Sequence, residues 1–135
     1  MDLQLEAVAE SCMKAAEANT MSFPQIVGKL MEAGFESYAV DFRRTTATYY
    51  LPDGDSVALE THRIDSAIAD QLDATKLSAA IREAQQFVPG YTYKGFCAKA
   101  KAAGCAGYVV SFSGRRAVYF GRTGETHVEH FPGSR

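Results

Sequence analysis

Apolar residues recur along this chain with two different periods, and the switches between them mark its elements. Leu5, Val8, Cys12 and Ala16 fall three and four apart among Ala, Glu, Gln and Lys, the spacing of an amphipathic helix that packs on a sheet. Ser22 stands three residues before Gln25, and Pro24 lies in the first turn, so a second helix is capped there. Its stripe is Phe23, Ile26, Val27, Leu30 and Met31, and Gly34 is placed to end it in the left-handed conformation. The period then becomes two. Tyr38, Val40 and Phe42 alternate with Ala39 and Asp41, which predicts a strand over 37–43 with one aromatic, core-facing side. A second strand follows at 46–51. Pro52-Asp53-Gly54-Asp55 forms a turn, and a third strand runs over 57–60.

Beyond that strand Ile64, Ile68 and Leu72 are spaced by four. Leu77, Ala80, Ile81, Ala84 and Phe87 make a clearer stripe, which Pro89-Gly90 breaks. One long helix or two short ones fit this stretch. Thr92 then caps a helix running to Ala103, Gly104 terminates it, and strands are expected at 107–113, 116–121 and 126–130, the last two joined by Thr123-Gly124-Glu125. Pro132-Gly133-Ser134-Arg135 reads as a linker-like tail.

A shift of 70 superposes residues 23–60 on 93–130 without a gap. Identities fall at Lys29/Lys99, Ala33/Ala103, Gly34/Gly104, Tyr38/Tyr108, Val40/Val110, Phe42/Phe112, Ala47/Ala117, Tyr49/Tyr119 and Gly54/Gly124. They sit at a helix end, along strand faces and in a hairpin turn, where backbone or core would require them. The expected fold is a single α+β domain over 1–135. It is an internal duplication of a helix plus a three-stranded antiparallel unit, with repeat 1 at about 22–60 and repeat 2 at about 92–130. The halves are related by a pseudo-twofold axis, with extra N-terminal and central helices. A chain of 135 residues buries roughly two thirds of its unfolded surface, so the repeats share one core.

With 47% hydrophobic and 22% charged residues, and no apolar run near the roughly 18 residues of a membrane span, a soluble globular protein is expected. The start, Met1-Asp2 with Glu6 and Glu10, lacks the basic and apolar stretches of a secretory signal, which points to the cytoplasm. Cys12, Cys97 and Cys105 are odd in number and show no CxxC spacing. Cys97 aligns with Val27 and Cys105 with Phe35, so all three read as reduced core thiols. The net charge of −2 conceals an imbalance. Residues 1–70 carry five Lys or Arg against twelve Asp or Glu, a formal −7, and 71–135 carry nine against four, a formal +5. Such a dipole would steer an anionic ligand toward the second half or align copies head to tail; the plainer reading is two solvated faces.

Positions that are apolar in one half and ionisable in the other locate the candidate chemistry. Val57 and Leu59 share a strand face, and their counterparts are His127 and Glu129. A carboxylate on a core face must reach water at a pocket mouth, or pair with His127, an arginine or a metal. The alternative is an exposed edge strand whose polar residues keep sheets from stacking. Metal ligation by His127, Glu129 and His130 together is disfavoured because i+3 points away from i and i+2, and nothing places His62 beside them; no metal or cofactor is assigned. Arg115, Arg116 and Arg122 lie among Tyr108, Phe112, Tyr119 and Phe120, a mixture that can hold phosphate or stack on bases. The aromatics alternate as core residues do, however, and a pI near 5.9 argues against nucleic acid. No GxSxG elbow, phosphate-binding loop or dinucleotide fingerprint occurs.

Thr48-Tyr49-Tyr50-Leu51-Pro52-Asp53-Gly54 in the first half and the run from Tyr119 to Pro132 in the second carry a resemblance over the whole chain. The chain resembles a bacterial family of unknown function, often labelled phage envelope protein and represented by YbcV-like sequences. The resemblance implies a small bacterial or prophage-borne protein and carries no catalytic assignment. The expected function is non-enzymatic binding of a small molecule or a protein partner through the cleft near His127, Glu129, Arg122 and Tyr119. One alternative is a small hydrolase or isomerase with His127 as base and Glu129 as its orienting partner. Another is a homodimer joined through an edge strand.

Overall fold

The computed structural model describes residues 1–131, so the 132–135 tail lies outside the described residues. Helices α1 (Leu3–Ala18) and α2 (Phe23–Ala33) precede strands β1 (Ser37–Asp41), β2 (Thr46–Tyr50) and β3 (Ser56–Glu60). Helices α3 (Ala74–Gln86) and α4 (Tyr93–Ala102) then precede β4 (Cys105–Ser111), β5 (Arg116–Gly121) and β6 (Thr126–His130). The strands form one antiparallel sheet in the order β3-β2-β1-β4-β5-β6, which makes the fold α+β. Among the described residues, no helix is long and apolar enough to cross a membrane.

Local chemistry accounts for most boundaries. The capping box at α2 closes in both directions: Ser22 N–H donates to Gln25 Oε1 at 2.8 Å, and Gln25 N–H donates to Ser22 Oγ at 3.4 Å. Ile26, Val27 and Leu30 of its stripe are buried, while Met31 remains 48% exposed. In α3 the buried residues are Leu77, Ala80, Ile81 and Ala84; Phe87 is instead the left-handed cap that ends the helix and packs against Tyr91.

The same backbone conformations recur 70 residues apart. Positive φ occurs at Gly34 and Gly104, at Thr45 and Arg115, and at Gly54 and Gly124. Across the centre of the sheet Tyr38 faces Val110 and Val40 faces Tyr108, so the pairing of β1 with β4 is symmetric about Ala39 and Val109. Phe42 N–H donates to Ala106 O and Phe112 N–H to Glu36 O, both at 3.0 Å, which repeats that symmetry in hydrogen bonds. The N-terminal and central helices also take matching places, α1 before α2 and α3 before α4. The linker to the next helix is residues 19–22 after α1 and residues 87–92 after α3, so the buried Ala9 and Cys12 correspond to Leu77 and Ala80 and a gapless shift of 70 puts them out of register.

One expected helical stretch is not helical. Residues 61–73 form an irregular strap along one end of the sheet, and Ile64, Ile68 and Leu72 do not share a helix face. Thr61 N–H is bonded to Thr45 O at the β3 edge, and Ile68 O accepts from Arg122 Nη1 beyond β5. Four inter-strand spacings, about 19 Å, separate those points. Seven helical residues would cover roughly 11 Å and seven extended ones roughly 23 Å. The strap therefore has to be extended.

Candidate functional site

Alternation along the strands sends Tyr49, Tyr38, Tyr108 and Tyr119 to the face covered by helices. Their rings form a ladder over four adjacent strands, with centroids 5.4 Å apart for Tyr38–Tyr49, 6.3 Å for Tyr38–Tyr108 and 5.1 Å for Tyr108–Tyr119. From α4, Tyr93 brings its hydroxyl 3.0 Å from that of Tyr108. Small residues beside the ladder, Ala47 and Ala117 on the sheet and Ala84 on α3, leave a cavity of about 70 Å³ between helices and sheet. That is room for roughly five water-sized groups.

The two ends of the ladder differ. At one edge Tyr49 pairs with Val57 and Ala47 with Leu59, both partly buried against the core. At the other edge Tyr119 pairs with His127 and Ala117 with Glu129. β6 is an edge strand, and its His127 and Glu129 face the covered side with about a quarter of each side chain exposed. Glu129 lines the cavity. The pairing that a carboxylate on a core face requires is made with His127, Nε2 to Oε1, at 2.8 Å.

Ser78 on α3 completes this cluster, and sequence reasoning missed it. Its Oγ lies 3.1 Å from His127 Nε2 and donates to Glu129 Oε1 at 3.1 Å. The available signal was slight: a small polar residue flanking the apolar stripe of Leu77 and Ile81. The three groups close a triangle on one ring nitrogen and one carboxylate oxygen. A serine nucleophile relay needs the hydroxyl on one imidazole nitrogen and the carboxylate on the other. Here both lie at Nε2, and the Ser78 proton is committed to the carboxylate. The second oxygen of Glu129 makes no hydrogen bond among the described residues, which leaves it as an acceptor at the cavity rim.

The other candidates separate. Tyr119 is buried beside His127, with ring centroids 6.5 Å apart. Arg122 does not join the cluster; its Nη1 donates to Ile68 O at 3.1 Å in the strap. His130 falls on the exposed positions of β6, and His62 Nδ1 pairs with Glu17 Oε2 at 2.7 Å. No group of three His, Cys, Asp or Glu side chains able to hold a metal occurs among the described residues.

Burial governs the ionisation of the core. Cys12, Cys97 and Cys105 are free and buried; removal from water pushes the Cys97 thiol up to about 12 and Cys105 to about 11. The same cause raises Tyr38, Tyr93 and Tyr108 well above the ordinary phenol value. The sign follows from linkage. An acid whose pKa is raised on folding holds its proton in the folded state and loses it first in the unfolded state, so stability is complete below the unfolded pKa and falls as pH rises. With unfolded thiols near 8.5 and phenols near 10, stability should decline from about pH 9 toward 11–12. In a Tyr50→Phe variant, which removes the exposed phenol, circular dichroism and near-ultraviolet tyrosinate absorbance followed together against pH should change in one coincident transition; phenols titrating ahead of the loss of structure in that variant would contradict buried tyrosines.

No match to the sequence was found among curated proteins. Residues 10–129, nearly the whole of the sheet and its helices, match the family described as protein of unknown function (DUF1398), and the chain belongs to that family.

Proposed function

We propose that this protein is a non-enzymatic binding module for a small amphipathic molecule. The ligand places a short apolar body in the tyrosine-lined cavity and a hydrogen-donating head, an ammonium or hydroxyl, against Glu129. The observation that carries this reading is the joining of an apolar cavity to a carboxylate with an unused oxygen at its rim. A bacterial or prophage-borne, cytoplasmic setting belongs to the same reading. The arrangement of Ser78, His127 and Glu129 argues against a serine-nucleophile hydrolase, because the hydroxyl and the carboxylate share one ring nitrogen.

A series of n-alkylamines, from three carbons to eight, tests the proposal by calorimetric titration. Each added methylene should strengthen binding by about 0.8 kcal/mol until the cavity is full near five carbons, after which the gain should stop. Glu129→Gln should weaken the best amine by roughly tenfold or more while leaving the corresponding alcohol nearly unchanged. Absence of saturable binding across the series, or equal affinity in the variant, would sink the assignment.

A further inference from the structure

A second concavity lies at the strap end of the sheet, an open groove of about 720 Å³. Four cations line it, Arg43, Arg63, Lys101 and Arg122, with one lining carboxylate, Asp65, in a chain whose net charge is −2. Two of the four are matched by exposed partners: Arg43 Nε lies 4.0 Å from Asp41 and Arg63 Nε 3.7 Å from Asp65. Lys101 and Arg122 have no carboxylate within 4.0 Å among the described residues.

Lys101 is the unusual member. It is only 7% exposed, and among the described residues its Nζ makes a single hydrogen bond, donated to Ile64 O at 2.6 Å. An ammonium carries three donors. Lysine is almost never fully buried without a pairing partner, and a lone carbonyl supplies no countercharge. An apolar side chain at this position would extend the buried face of α4, formed by Phe96, Cys97 and Ala100, without that cost. Arg122 likewise spends one donor on Ile68 O and presents its remaining donors to the groove. The balance is two uncompensated positive charges, one of them buried, beside an apolar wall at Phe42.

We propose that this groove is a binding site for a small dianionic oxyanion of the phosphate-monoester class, held by Lys101 and Arg122 and flanked by Arg63 and Arg43. Two positive charges match the double charge of a monoester near neutral pH, and the guanidinium fork suits its oxygens. Phe42 offers a surface for the organic part of the ester. The site is separate from the Glu129 cavity and does not depend on it.

Titration calorimetry with phenyl phosphate and with inorganic phosphate, at pH 7.5 and fixed ionic strength, tests this directly. The expected result is saturable binding of both, weakened at least about tenfold by Arg63→Gln with Arg122→Gln. Glutamine keeps a donor for Ile68 O, so the double variant should melt within a few degrees of the wild type. Should it unfold, Arg63→Gln alone, at an exposed side chain, still has to weaken binding by about threefold. Lack of saturation with either anion overturns the proposal, and so does unchanged affinity in whichever folded variant is measured.

Discussion

Gly104→Ala should destabilise this domain by more than about 4 kcal/mol, whereas Gly34→Ala at the corresponding place should cost only about 1–2 kcal/mol. Both glycines end a helix with positive φ, +99° at Gly34 and +90° at Gly104, so both alanines incur the same left-handed strain. The surroundings differ. A Cβ on Gly34 would meet nothing within 4 Å. On Gly104 it would collide with the carbonyl oxygen of Gln71 and lie 2.9 Å from Leu72 Cα, both backbone atoms of the strap. Those atoms have little room to retreat: Leu72 N–H donates to Glu125 Oε1 and Asp73 N–H to Ala103 O at 2.7 Å. Against a total stability of roughly 5–15 kcal/mol, the first substitution removes a large share and the second a small one. Urea unfolding of the two variants decides it. Equal losses would mean that the strap is not pressed against Gly104.

Replacing His127 by Val and Glu129 by Leu, which writes the first-half residues into the second half, should raise the unfolding midpoint by several degrees and abolish amine binding by at least about a hundredfold. The β3 edge shows that Val57 and Leu59 fit against a tyrosine and an alanine in the same cross-strand registers. Exchanging a largely buried, hydrogen-bonded His–Glu pair for apolar side chains is commonly neutral or stabilising, here by about 1 kcal/mol. The stabilisation is modest because Ser78 loses its acceptor. Calorimetric melting read beside amine titration separates two cases. A higher midpoint with lost binding describes a site maintained at a cost to stability. A lower midpoint would show that the Ser78 triangle fastens α3 to β6 and that its role is structural.

Features governed by neighbours in the chain were legible before any coordinates. The Ser22/Gln25 box, the glycine ends of α2 and α4 and the turns at Gly54 and Gly124 each depend on groups within a few residues. The three strands of each half followed from alternation alone, because a residue's face is settled by its parity. The contrast of Val57 and Leu59 with His127 and Glu129 drew attention for the same reason to β6, whose side chains meet Ser78. The strap misled because Ile64, Ile68 and Leu72 carry a helical period while their conformation is set by partners 37 to 54 residues away: Lys101, Arg122 and Glu125. Ser78 left only the slight signal of a small polar residue beside the α3 stripe, and the burial of Lys101 left no local trace.

The amino-acid sequence by itself determined the elements, their repeat after 70 residues and the apolar face on which the tyrosines lie, since propensity, capping and periodicity act over one or two turns or a single hairpin. The tertiary structure alone decided that the two halves join through β1 and β4 into one sheet, that Ser78 meets His127 and Glu129, and that Arg122 belongs to the strap groove instead of that cluster. These are contacts between segments distant in the chain. They are selected by the need to bury one shared core and to span one sheet edge, and no local pattern encodes that selection.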